Sequence, residues 1–191
     1  MWGFNVDTTE TWAYVEQAFT TEECEKIIEI GLEKNTSPAR IDSRNSGVVN
    51  KKIRKSLTSW ISPNDNTGEL YKKLTDLAVY ANEKYFNFEL FGLGEDLQFT
   101  RYEAPGGKYS AHIDKTFQGP IRKLSFSVIL NDPKDYKGGK LFVQTKEKKD
   151  FIEQKQGRVV FFPSYVLHGV TPVTEGIRHS LVGWITGPRF K

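Results

Sequence analysis

Residues 157–186, GRVVFFPSYVLHGVTPVTEGIRHSLVGWIT, hold two strand-like runs joined by a turn-rich middle. GRVVFF is a short apolar run of branched and aromatic residues, and IRHSLVGWIT is built from the same residue types. Pro163 and Gly169 punctuate the stretch between them. Working outward, LQFTRYE (97–103), KLSFSVIL (123–130) and KLFVQT (140–145) repeat this grammar, separated by Gly, Pro and Asp turns. The second half of the chain therefore predicts a series of six to eight short strands.

The first half reads differently. In AFTTEECEKIIEIGLEK, Thr20 is a candidate N-cap with Glu23 three residues on, and Phe19 is placed to staple against Cys24. This predicts a helix over about 21–34. After the turn-rich SPNDNTG, the residues Leu70, Leu74, Leu77, Ala78, Ala81 and Tyr85 recur at helical spacing and predict a second helix over about 67–86. Helices followed by strands give an α+β chain whose sheets close into a sandwich or barrel, with the helices packed on one outer face. No internal repeat or linker divides it, so the expectation is one domain over 1–191: helical support over about 1–90 and a β core over about 91–191.

Composition narrows the function classes. The 191 residues include 27 basic and 24 acidic ones, a formal charge of +3, too mild an excess to argue by itself for nucleic acid. Two local clusters stand out, Lys51, Lys52, Arg54 and Lys55, and Lys146, Lys148 and Lys149; the second reads as a hairpin end. The single cysteine, Cys24, excludes an internal disulfide and suits a reducing compartment, with helix packing as its expected use. The N-terminal MWGFNVDTTETW lacks a basic region followed by an apolar run, and no apolar stretch is long enough to span a bilayer. The expectation is a cytoplasmic protein with no membrane partner.

Only three histidines are present, and two of them have a pattern. In GGKYSAHIDKTFQG (106–119), His112 and Asp114 lie at i and i+2, so an extended backbone projects them side by side. Alone, this equally suits a surface histidine beside a turn acid. His168 follows the strand GRVVFF and supplies a third candidate ligand. Two histidines and one carboxylate form the facial triad of non-haem iron(II) oxygenases, though zinc and manganese also accept such a set. Ten residues after His168 comes Arg178, and the period of two puts Arg178 and Ser180 on one strand face with His179 on the other. A guanidinium fork beside a hydroxyl suits a carboxylate. A solvent-facing strand arginine and a small packing residue are the plainer alternatives.

The order H-I-D, a later H, then R ten residues on resembles the iron(II)- and 2-oxoglutarate-dependent dioxygenases, and the flanking text looks like their prolyl 4-hydroxylase branch. The matching segments are QFTRYEAPGGKYSAHID, RKLSFSVILNDPKDYKGGKLFV and GRVVFFPSYVLHGVTPVTEGIRHSLVGWI, about residues 97–186. The resemblance implies a double-stranded β-helix (jelly-roll) core. It implies iron(II) (Fe2+) bound by His112, Asp114 and His168, and the distal carboxylate of 2-oxoglutarate held by Arg178, with Tyr102 lining that pocket and Tyr109 forming a wall. Dioxygen (O2) is the oxidant and L-ascorbate the implied reductant. Collagen-type relatives carry Lys where Arg178 stands, so the likeness is nearer the oxygen-sensing, bacterial and viral branches. Oxygen-sensing relatives also carry a tyrosine in the strand matching LSFSVIL; this strand has none, and Ser180 is a candidate replacement. Lys140 stands where the family usually has an acid and reads as a hairpin surface change.

More weakly, VVNKKIRKSLTSWIS resembles the mobile loop and strand that cover peptide substrate, with Arg54 and Trp60 facing it. Its alternative is an ordinary strand with Ile53 and Leu57 in or near the core. The preceding SPARIDSRNSGVV has the composition of a flexible lid. The implied reaction is hydroxylation of proline in a protein or peptide, with 2-oxoglutarate decarboxylated to succinate and carbon dioxide. Alternatives are oxidative demethylation of nucleic acid, hydroxylation of another amino acid or small metabolite, and a non-catalytic binding module. Against nucleic acid, RHSLVGW lacks the R-x-N-x-T-x-R run of those demethylases.

Overall fold

The computed structural model describes residues 8–41, 47–64, 66–114 and 119–189. Helix α1 spans Thr21–Glu33, and its predicted start is realised in full: Thr20 accepts from the Glu23 N–H while the Glu23 carboxylate accepts from the Thr20 N–H. Cys24, Ile27 and Gly31 form the buried face of α1. Helix α2 spans Gly68–Ala81 and widens into a π-helical turn, Asn82–Phe86, which ends at Asn87 in the left-handed conformation (φ 52°).

The strands are β1 (Ala13–Val15), β2 (Ser37–Pro38), β3 (Arg54–Lys55), β4 (Leu57–Ile61), β5 (Gly92–Leu93), β6 (Leu97–Glu103), β7 (Gly107–His112), β8 (Arg122–Ile129), β9 (Tyr136–Gly138), β10 (Leu141–Gln144), β11 (Asp150–Phe151), β12 (Val159–Pro163) and β13 (Leu167–Thr186). The 20-residue β13 belongs to two sheets. Its second half lies in the major sheet, ordered β1-β12-β8-β13-β6-β4-β2. Its first half pairs with β7 and β10, and then with β9, in the minor sheet. Register shifts between His168 and Glu175 carry the strand from one sheet to the other, as bulges do.

Alternation along the strands sorts side chains into two cores. On β12, Val159 and Phe161 face the helices, whereas Val160 and Phe162 face the space between the sheets. The helix-side core joins Phe19, Cys24, Ile27 and Leu74 to Phe99, Phe126 and Leu181. Each such apolar side chain contributes roughly 1.5–3 kcal/mol on burial. Contact between α1 and the sheet is close: a methyl group on Gly31 would lie 2.3 Å from Cγ of Phe99. At the N-terminal edge the buried Arg158 holds β1 on β12, bonding Glu16 and Glu153 with its guanidinium carbon 4.4 Å over the Tyr14 ring.

The α+β jelly-roll expectation holds, and both helices fall where periodicity places them. The first ninety residues contribute more than helices, however, because β1 to β4 all join the sheets. Segment 54–61 crosses between them: Arg54 pairs with Tyr109 in the minor sheet and Leu57 with Arg101 in the major one. Ile53 is exposed and Leu57 only half-buried, so this segment does not place them in the core as simple alternation would. The candidate lid at 37–49 starts with β2 paired to β4 and closes with an isolated bridge between Ile41 and Val48; residues 42–46 lie outside the described residues. No helix is long and apolar enough to cross a membrane among the described residues.

Candidate metal centre and its anion pocket

β7 and β13 bring His112 and His168 directly opposite each other in the minor sheet. Asp114 lies just beyond the end of β7, where its N–H donates to the Ser164 carbonyl at 2.9 Å. The three side chains converge, with one potential ligand atom from each within 4.8 Å of the others. Nε2 of His112 is 3.5 Å from Oδ1 of Asp114, and Nε2 of His168 is 3.5 Å from Oδ2.

The ring orientation suits metal binding. Nδ1 of His112 contacts the Ser110 carbonyl at 2.9 Å and Nδ1 of His168 the Val166 carbonyl at 3.0 Å. A carbonyl only accepts, so each Nδ1 carries the proton and each Nε2 presents its lone pair inward. Burial, opposed by Asp114, lowers the His168 pKa and keeps that ring neutral. Burial also works against ionising Asp114, but His168 and His112, where they are protonated, outweigh it and hold the carboxyl well below the usual carboxylate range. A neutral, lone-pair-in histidine pair with an ionised carboxylate fits a divalent metal of the iron class and leaves one face free for other ligands.

Supporting contacts surround the triad. Ser125 on β8 donates to Oδ2 of Asp114 at 2.8 Å, and Ser164 lies 2.9 Å from the Ser125 hydroxyl; both serines are fully buried. Tyr109 stacks on His112 with ring centroids 3.5 Å apart, and Phe162 packs 4.4 Å from His168.

Further along β13, Arg178 is 1% exposed, and neither its Nε nor either terminal nitrogen has a hydrogen-bond partner among the described residues. It shares the inner face with Ser180, while His179 is buried on the helix side of the sheet and stacks on Phe99 at 5.3 Å. Space for the guanidinium is kept open by Gly139, where φ is +58° and a Cβ would lie 2.9 Å from Cδ of Arg178. Tyr102, paired with Arg178 across β6, is buried with its ring centroid 5.3 Å from the guanidinium carbon. Burial pushes the Tyr136 phenol up, opposed by the neighbouring Arg178 charge. A buried guanidinium without a counter-charge is strongly unfavourable, so this pocket is built for an anion.

The remaining candidates sit elsewhere on the rim. Trp60 is 46% exposed and lies 6.2 Å from Trp184, which is buried. Arg54 belongs to a basic cluster but is not on open surface; its guanidinium covers the Tyr109 ring at 4.4 Å and donates to Gln98 at 2.6 Å. Lys140 is exposed, and Lys146, Lys148 and Lys149 lie in the exposed turn between β10 and β11, as expected. Sequence reasoning missed Ser125, Ser164 and Thr100. The available signal was the pair Ser125 and Ser127, two hydroxyls at a period of two inside an otherwise apolar strand.

A family model for the 2OG-Fe(II) oxygenase superfamily matches residues 97–186. A PKHD-type hydroxylase of Prochlorococcus marinus strain NATL2A is 38% identical over 125 residues, covering 63% of this chain and 56% of that protein. Another, from strain MIT 9515, is 27% identical over 161 residues, covering 84% and 72%. The chain thus spans little more than half the length of the first of these relatives. Among solved structures, a Pseudomonas putida prolyl-4-hydroxylase aligns with TM-score 0.73 and 22% identity over 94% of both chains. A Trichoplax adhaerens prolyl hydroxylase, solved with a hypoxia inducible factor peptide fragment, aligns with TM-score 0.76 and 19% identity over 92% of this chain and 83% of that one.

Proposed function

Because residues 97–186 match the family model of the 2OG-Fe(II) oxygenase superfamily, we propose that this chain is an iron(II)- and 2-oxoglutarate-dependent dioxygenase that hydroxylates proline in a protein or peptide. The reaction takes R–H, O2 and 2-oxoglutarate to R–OH, succinate and carbon dioxide. The observation that carries the reading is the unpaired, buried Arg178 on the strand that also presents His168.

His112, Asp114 and His168 hold the iron, which when bound supplies the redox chemistry that dioxygen needs. Arg178 anchors the distal carboxylate of 2-oxoglutarate and so fixes which end of the co-substrate points at the triad. Tyr102 and Ser180 line that end. The buried position of His168 and Asp114 limits water at the reacting face. Trp60 and the Arg54–Tyr109 stack line the approach for substrate; Trp60 offers an exposed ring on which a proline can pack. The hydroxylase-named relatives support hydroxylation, and the structural neighbour solved with a peptide fragment supports a peptide substrate. L-ascorbate serves as reductant, one catalytic unit spans 1–191, and the unpaired Cys24 suits the cytoplasm.

The test follows succinate from protein supplied with iron(II), ascorbate and 2-oxoglutarate, with mass spectrometry of a panel of proline-containing peptides. One added oxygen on proline, coupled to succinate, is the expected result. Succinate without any oxidised peptide would redirect the substrate to another amino acid or a nucleic acid. No succinate under any condition would sink the dioxygenase reading.

A further inference from the structure

Ser180 on β13 pairs with Thr100 on β6 to one side and with Ile129 on β8 to the other, so these three residues form one row across the major sheet. Alternation puts the row on the inner face, the same face as Arg178 two residues earlier. Tyr102 and Ile129, the inward neighbours on β6 and β8, belong to the core between the sheets, which fixes that orientation. Ile129 closes one flank with no polar atom. Thr100 closes the other with a hydroxyl.

Thr100 is fully buried, and its Oγ1 makes no hydrogen bond among the described residues. Buried hydroxyls are costly unless satisfied, and native proteins satisfy nearly all of them. Here two adjoining inner-face residues on paired strands, Arg178 and Thr100, are unsatisfied together. The nearby Tyr136 donates its phenol proton to Gln154 at 3.0 Å and bonds neither Thr100 nor Arg178.

We propose that Thr100 is a co-substrate-binding residue whose hydroxyl donates to the carboxylate that Arg178 holds, the distal carboxylate of 2-oxoglutarate; this rests on the dioxygenase reading above. A carboxylate offers about four lone-pair sites across its two oxygens, so a guanidinium fork leaves room for a further donor from the side. The strand 123–130 has no tyrosine and presents Ile129 at this row, so the added donor comes from the β6 side instead.

The experiment is calorimetric titration of manganese(II)-loaded protein, which binds without turning over, with 2-oxoglutarate and separately with oxalate. Oxalate reaches the metal but has no distal carboxylate. Thr100→Val keeps the shape and removes the hydroxyl; Thr100→Ser keeps the hydroxyl. The expected result for Thr100→Val is 2-oxoglutarate binding weakened by roughly 10- to 100-fold, with oxalate binding unchanged. Thr100→Ser should stay within about threefold of the parent, and metal-free Thr100→Val should melt no lower than the parent, because an unsatisfied group has been removed. Equal 2-oxoglutarate affinity in Thr100→Val overturns the assignment and leaves the dioxygenase reading standing. Equal losses for both ligands mark a structural defect and overturn it too. Parent protein that binds manganese but no 2-oxoglutarate would bring down the dioxygenase reading and the Thr100 assignment together.

Discussion

The hydroxyl of Ser125 donates to Oδ2 of Asp114 at 2.8 Å, inside a pocket where Ser125 is fully buried and Asp114 nearly so. A carboxylate freed of that bond can turn away from the histidines. Ser125→Ala should weaken manganese(II) or cobalt(II) binding about 10- to 100-fold, the usual effect of losing such a supporting bond, whereas Ser125→Thr should recover most of it. Metal titration followed by cobalt absorption checks this; equal affinity in Ser125→Ala would show that Asp114 is held by its backbone alone.

Among the described residues Arg178 carries an unpaired charge in the interior, so its removal should separate stability from binding. Arg178→Met is expected to raise the stability of the metal-free protein by about 1 kcal/mol or more, because an uncompensated buried charge is relieved. The same variant should lose 2-oxoglutarate binding by at least about 100-fold. Denaturant melts and ligand titrations on one preparation test both halves.

Gly31 brings α1 onto the Phe99 ring, with no room for a methyl group. Gly31→Ala should destabilise the fold by about 1–3 kcal/mol, the range for overpacking a filled core. Adding Phe99→Leu to that variant should restore part of the loss. Urea midpoints of the two single variants and the double variant measure the coupling.

His179 is buried against Phe99, and burial together with the Arg101 and Arg178 charges pulls its pKa down to about 4. Since the unfolded ring titrates near 6.5, acid favours the unfolded chain: as pH falls from about 6.5 to 4, unfolding takes up a proton that the native state refuses. His179 should therefore cost about 3 kcal/mol of stability across that window, and nothing above it. His179→Gln should flatten the stability profile between pH 6.5 and 4 by about that amount; parallel profiles would assign the acid sensitivity elsewhere.

Burial pushes the Cys24 thiol up to about 11, so little thiolate forms at neutral pH. Cys24 should resist a thiol-modifying disulfide reagent in the native protein and react completely in denaturant. Rapid native reaction would mean that α1 opens away from the sheet.

Much of this was legible in the chain itself. The Thr20–Glu23 box places the start of α1, where local chemistry sets the end, and the leucine spacing places α2 through its buried face. His112, Asp114, His168 and Arg178 stand out through order and spacing. What escaped was set by pairing rather than by residue type. β2 and β3 are two residues long and exist only because β4 and β7 lie beside them. Arg54 reads as one more surface cation, yet the Tyr109 ring and the Gln98 amide draw it inside. Ser125, Ser164 and Thr100 look like ordinary strand or turn hydroxyls until the register shows what each one faces.

The shared strand β13 also limits how this protein can change. His168 and Arg178 hang from one continuous backbone, so the reach from metal ligand to anion anchor is a calliper set by chain length. Its jaws do not move smoothly. Inserting a single residue between them would turn Arg178 toward the helices and His179 into the space between the sheets, because facing alternates at every step. Only two-residue steps keep the guanidinium inside, each about 6.6 Å long, several times the length of one methylene. A shift in preference to a slightly longer or shorter diacid therefore has to come from side chains such as Arg178 and its neighbours, and not from lengthening the strand, unless a new bulge absorbs the extra residue.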